Sequence, residues 1–293
     1  MTLTKQRVRT RVGEIAYVER GEGPVALFVH GVFLNSYLWR HVIDRLCGER
    51  RCIALDLLSH GDSPAAPGQD ISFRGQAEVL EEFCEALGLD QVDLVANDSG
   101  GAIAQIFAVR HSERLRTLTL TNCDVHDNYP PAAFAGTRAA AASGLFSARR
   151  EAFRDDMSLS RGGFGLAYEA VDKIPDETLA TYLRPLYETP ERTADLERWL
   201  TASGDNSQTT EIAPLLRQLQ VPTLIVWGAA DPFFPLPWAY WLKGAIPGAT
   251  KVVEVEGAKL FLPEERPDAL AEPLREHWRA ALLAKRADGS RAA

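Results

Sequence analysis

The chain has 293 residues, 46% of them apolar, with a formal net charge of −8 and a pI near 5.4. That size supports one large α/β domain or a domain with an insertion, and an acidic balance without long blocks of like charge argues against nucleic acid or an anionic membrane surface as partner. No tract has the length and apolarity of a membrane span and the opening M-T-L-T-K-Q-R lacks an apolar leader, so the expected location is the cytoplasm and the expected partner a small molecule.

Along the chain, short apolar runs alternate with helical patterns, the order of a mostly parallel sheet covered on both faces. Strands are expected at Val8–Val12, Ile15–Glu19, Val25–His30, Cys52–Asp56, Val92–Ala96, Leu115–Thr121, Thr223–Trp227 and Lys251–Val255, the first two as a hairpin around Gly13. Phe73, Ala77, Leu80, Cys84 and Leu87 fall at helical spacing before Gly88, a natural stop. A second helix starts after Asp98 and runs to about His111, and a last one carries Leu270, Leu274, Trp278 and Leu282 on one stripe, followed by a fraying tail over 286–293. Cys47, Cys52, Cys84 and Cys123 sit in apolar contexts without C-x-x-C spacing, which points to reduced, buried thiols. No metal-ligand cluster, phosphate loop or flavin fingerprint is present, so no cofactor is expected.

Between about Asp127 and Ala213 the strand signal disappears. Helical stretches there are broken by Pro130, Pro131, Gly162, Gly163, Pro175 and Pro190 and seeded with aromatic residues. A single crossover needs only a dozen or so residues, so this segment reads as a helical cap. The expected division is a core of residues 1–126 and 214–293 with a cap of residues 127–213, and the cap would wall the carboxyl edge of the sheet, where α/β proteins bind ligands.

The string A-N-D-S-G, Ala96 to Gly100, follows a strand and opens a helix. A sharp strand-to-helix turn strains its central residue and requires small residues two positions to either side, which Ala96 and Gly100 supply. The central side chain, Asp98, would stand above the sheet at a helix N-terminus that favours its charge. The plain alternative is that Asp98 is a helix N-cap.

Context favours the first reading. L-F-V-H-G-V-F (Leu27 to Phe33) ends a strand in His-Gly, D-L-L-S-H-G-D-S spans Asp56 to Ser63, W-G-x-x-D spans Trp227 to Asp231, and G-A-K-L-F-L-P-E-E-R-P spans Gly257 to Pro267. In this order the motifs resemble the α/β-hydrolase superfamily over nearly the whole chain, in the Asp-nucleophile branch of haloalkane dehalogenases and epoxide hydrolases. The resemblance implies an α/β-hydrolase fold with an eight-stranded, mostly parallel sheet. It also implies Asp98 as nucleophile, Asp231 as triad acid, and an oxyanion hole from the backbone N–H groups of Val32 and Ser99.

The family's histidine belongs in the loop after the last strand. Aligned on Gly257, Phe261 and Glu265, that position is Leu260, preceded by Lys259. Without a base to activate water, release of an ester formed on Asp98 should stall. Of six histidines, His30, His41, His60, His111 and His277 read as structural or surface residues. His126 follows the Leu115–Thr121 strand at the carboxyl edge and is a candidate displaced base; the edge supplies the triad acid in some dehalogenase-like relatives, which makes Asp124 an alternative acid. Lys259 is a further substitute base, expected to be exposed. The family's halide-holding Trp and Asn are replaced by Ser99 and Val32, and Phe33 replaces the proline of epoxide hydrolases, although Tyr168, Tyr182 or Tyr187 could protonate an oxirane oxygen. Three functions stay open: a hydrolase of a small apolar ester, epoxide or alkyl halide; a lyase, isomerase or cyclase with Asp98 as general base; and a ligand-binding pseudo-hydrolase.

Overall fold

The computed structural model describes residues 3–202 and 206–291. Its strands are β1 (Lys5–Thr10), β2 (Gly13–Arg20), β3 (Val25–Val29), β4 (Arg51–Leu55), β5 (Val92–Asp98), β6 (Leu115–Cys123), β7 (Thr223–Gly228) and β8 (Ala249–Val255). They form one sheet in the order β1-β2-β4-β3-β5-β6-β7-β8, antiparallel at β1, β2 and β4 and parallel from β4 through β3 to β8. This is the α/β-hydrolase architecture that the motif order implied. The first strand lies earlier than expected: Gly13 adopts φ 136°, which ends pairing at Thr10 and leaves Val12 in the turn.

The central strands β3 and β5 are buried at every residue, as strands covered on both faces must be, and their apolar runs follow from that. Helix α1 spans Arg40–Leu46. In helix α2 (Phe73–Leu87) the Ser72 hydroxyl caps the start by accepting from Gly75 N–H, and left-handed Gly88 ends it. Helix α3 (Ser99–Arg110) is buried from Ser99 through Ala108, which explains its nearly uniform A-I-A-Q-I-F composition. Cys52, Cys84 and Cys123 are buried, whereas Cys47 is only half-buried.

Among the described residues, the chain between β6 and β7 contains helices and 3-10 turns and no strand. It is tied to the rest of the molecule by Asn35 Nδ2 donating to the Thr181 carbonyl at 2.9 Å, Arg198 to the Gln69 carbonyl at 2.7 Å, and Phe261 N–H to the Ala167 carbonyl at 3.1 Å. The last helix, Pro267–Arg291, buries Leu270, Leu274 and Trp278. Leu282 is 52% exposed, so the buried stripe ends one turn earlier than its spacing suggested, and the helical backbone continues through most of the expected tail. Residues 292 and 293 of that tail lie outside the described residues.

Candidate active site

Strand β5 delivers Asp98 to the carboxyl edge, and α3 begins at the next residue. Asp98 has φ 59° and ψ −138°, a conformation rare for any residue with a side chain, and it does not cap the helix it precedes. The turn fits only because its neighbours lack side chains. A Cβ on Gly31 would lie 2.2 Å from the Asp98 carboxylate, and one on Gly100 would lie 2.3 Å from the His30 carbonyl. The close approach of Gly31 is a tertiary contact that the local pattern around Asp98 does not encode.

Three carboxyl groups converge at this edge, all at least nine-tenths buried: Asp98, Asp124 and Asp231. Asp231 has both oxygens engaged, accepting from Asn122 Nδ2 at 2.8 Å and from Phe233 N–H at 2.8 Å. Asn122 also accepts from Gly228 N–H at 2.7 Å, binding the ends of β6 and β7 together. Its role was not legible in T-N-C-D, where nothing distinguishes it from an ordinary strand-end asparagine. Asp124 follows β6; its N–H reaches the Asp98 carbonyl at 3.4 Å, and its Oδ1 has no hydrogen-bond partner.

Burial is the main cause that raises all three carboxyls above their ordinary range. Asp98 is pushed up to about 7 by burial and then by the charge of Asp231, against the pull of the Ser99 and Val32 N–H groups. Asp231 is likewise raised to about 7, with hydrogen bonds and the charge of Lys259 opposing its burial. Asp124 is raised well above its ordinary value by burial and by the charges of Asp98 and Asp231.

Val32 and Ser99 both line the cavity above Asp98. The Val32 N–H also donates to Ser99 Oγ at 2.8 Å, so the serine hydroxyl shares the donor expected to serve an oxyanion. The Ser99 hydroxyl was not foreseen in that position.

Leu260 is 5% exposed and forms part of the cavity wall. Among the described residues, no histidine lines this cavity. His30 is buried between the Gly31 carbonyl (2.8 Å) and Leu57 N–H (3.0 Å), and His60 stacks edge-on to Trp199. His126, the candidate displaced base, is drawn away: its backbone takes φ 47°, and its ring packs against Trp241 (4.7 Å) and Trp238 (6.4 Å) beside Asp127. Lys259 is half-buried rather than exposed. The hydroxyls of Tyr168 and Tyr182 both donate to Glu264 Oε2, at 3.0 and 2.7 Å, and so are not directed at a substrate oxygen; Tyr187 does line the cavity.

The cavity holds about 180 Å³, and Phe33, Phe134, Phe164, Phe233, Trp199 and Tyr187 form much of its wall. Asp98, Ser99 and Asp124 supply polarity at one end, an arrangement suited to a small apolar molecule with one reactive group. Among the described residues no group of three or more His, Cys, Asp or Glu side chains is arranged to hold a metal ion.

Residues 24–265 match the family model described as alpha/beta hydrolase fold. The chain is 27% identical over 277 residues to haloalkane dehalogenase 2 of Mycobacterium bovis, covering 91% of this chain and 92% of that one. It is 35% identical over 122 residues to a haloalkane dehalogenase of Agrobacterium fabrum, 40% of each chain. Among solved structures, a haloalkane dehalogenase from Bradyrhizobium elkani superposes with a TM-score of 0.79 at 23% identity, covering 97% of this chain and 100% of the other. An esterase from Thermogutta terrifontis gives 0.76 at 24% identity, covering 95% and 99%. These two agree with this chain in fold. The chain belongs to the alpha/beta hydrolase fold family and is related to the haloalkane dehalogenases.

Proposed function

We propose that the protein hydrolyses a small, largely apolar carbon electrophile (an ester, epoxide or alkyl halide) with Asp98 as nucleophile and residues 127–213 as the cap over it. The observation that carries this reading is the strained Asp98 backbone, which aims a buried carboxylate into an aromatic-walled cavity. A plain binding pocket would not need strain of about 1–3 kcal/mol. Asp98 attacks carbon and forms an ester; the Ser99 and Val32 N–H groups then stabilise the oxyanion that develops when water attacks that ester. Asp231 keeps its hydrogen bonds to Asn122 and Phe233 throughout and adds negative charge near Asp98 when ionised.

The absence of the dehalogenase-type Trp and Asn, replaced by Ser99 and Val32, weighs against a halide as the natural leaving group. The raised Asp98 carboxyl also suits proton abstraction, which favours a second reading as a lyase, isomerase or cyclase. Intact-mass spectrometry after incubation with an alkyl bromide separates the two. The hydrolase reading expects a covalent increment on Asp98 that Asp98→Asn lacks; a general base gives none.

A further inference from the structure

The cavity contains a second carboxyl for which the reading above has no use. Asp124 is 2% exposed, lines the same cavity as Asp98, and has an oxygen, Oδ1, without a partner. Its backbone is fixed on both sides: its N–H reaches the Asp98 carbonyl at 3.4 Å, and its carbonyl accepts from Gln105 Nε2 at 2.9 Å. Asp231 differs in both respects, since its oxygens are engaged and it is not part of the cavity wall. A buried polar atom left unpaired is costly, and this one belongs to a side chain in the wall of the ligand cavity.

We propose that Asp124 is a catalytic residue serving both halves of the reaction, first as the acid that protonates an oxygen leaving group and then as the base that activates water. This rests on Asp98 being the nucleophile. With an oxirane, the Asp98 carboxylate forms a bond to carbon as the ring C–O bond breaks, and the departing oxygen takes the Asp124 proton. Asp98 is now a neutral ester and Asp124 a carboxylate. Water then attacks the ester carbonyl of Asp98 while Asp124 takes one of its protons. The tetrahedral oxyanion collapses, the alkoxide leaves with the other proton of water, and Asp98 returns as carboxylate beside protonated Asp124. The sum is oxirane plus water giving diol.

The surroundings of Asp124 favour this alternation. Burial and the charge of Asp98 hold its proton in the resting site, and esterification removes that charge when Asp124 must ionise. The same cycle selects the leaving group. Bromide departs without a proton, so Asp124 must first lose its proton to solvent before it can activate water, and the alkyl ester persists at low pH. The oxygen electrophile is therefore the substrate class that this site completes.

The test uses two probes, styrene oxide and 1-bromobutane, with the wild-type protein, Asp124→Asn and Asp124→Glu. The wild type is expected to turn over styrene oxide and to accumulate a butyl ester on Asp98, released faster as pH rises and Asp124 loses its proton. Asp124→Asn is expected to form the same butyl ester, which also shows that it folds, to lose the pH dependence of release, and to turn over styrene oxide about 10²–10⁴-fold more slowly. Asp124→Glu should recover part of that loss. Asp124→Asn clearing both probes at wild-type rates overturns the proposal and leaves Asp98 as nucleophile. Should Asp124→Asn not fold, butyl release from the wild type that is constant between about pH 6 and pH 9 overturns it equally. No adduct on Asp98 of the wild type removes the underlying reading.

Discussion

The side-chain amide of Asn97 donates to the carbonyl of Leu260 at 3.1 Å, so the residue before Asp98 fixes the backbone of a residue in the cavity wall. The same amide donates to Thr121 Oγ1 at 2.9 Å, linking β5, β6 and the loop after β8. The backbone of Leu260 is therefore held beside Asp98, with an apolar side chain in the cavity wall. Leu260→His should place an imidazole in the cavity wall and accelerate release of an alkyl ester on Asp98 by about 10² or more. Adduct lifetime by mass spectrometry checks this; an unchanged lifetime would show that the framework does not aim this position at the ester.

Nucleophilic attack requires ionised Asp98. Its carboxyl titrates near 7, chiefly because it is buried and secondarily because Asp231 is charged. The alkylation rate should rise with pH and level off above about 7. Asp231→Asn should move the midpoint downward by removing the neighbouring charge. A rate independent of pH from about 5 to 9 would contradict the assignment.

The same carboxyl links stability to pH. Folded, Asp98 keeps its proton up to about 7, whereas in an unfolded chain it loses it near 4. Asp98 therefore destabilises the fold progressively from about pH 4 to 7, and fully above that range. Asp98→Asn should be no more stable than wild type near pH 4 but more stable at pH 8, by about 2–4 kcal/mol. Urea denaturation at the two pH values checks this; an equal gain at both would mean that relief of strain, not charge, is responsible.

Glu264 joins the helical insertion to the core. It accepts from Tyr168 and Tyr182 and pairs with Arg40 at 2.6 Å, with little exposure on either side of the pair. Glu264→Ala would leave the guanidinium and two hydroxyls without this partner, and should cost about 3–5 kcal/mol. Chemical denaturation measures the loss; a change below about 1 kcal/mol would mean that water or other groups replace the carboxylate.

The sheet was legible because its central strands are buried on both faces and so carry apolar runs, Val25–Val29 throughout and Leu94–Ala96 within Val92–Asp98. The strained turn at Asp98 was legible because steric crowding leaves a local trace in Ala96 and Gly100. Contacts between distant segments leave no such trace. Gly31 is small because Asp98 lies against it, and Asn122 matters because Asp231 and Gly228 reach it. The side chain of His126 departs from its expected place for the same reason. Chain position brings it to the carboxyl edge, but its positive φ and the rings of Trp238 and Trp241 take its side chain elsewhere. The aligned glutamate, Glu265, accepts from Glu169 and Ala170 N–H, while its neighbour Glu264 holds the buried tyrosine and arginine network.

Peptide mapping of the wild-type protein after incubation with 1-bromobutane tests the account most directly. A butyl ester confined to Asp98, absent from Asp98→Asn and long-lived near pH 6, is the predicted result. An unmodified Asp98, with butanol formed or with the label on another residue, would contradict it.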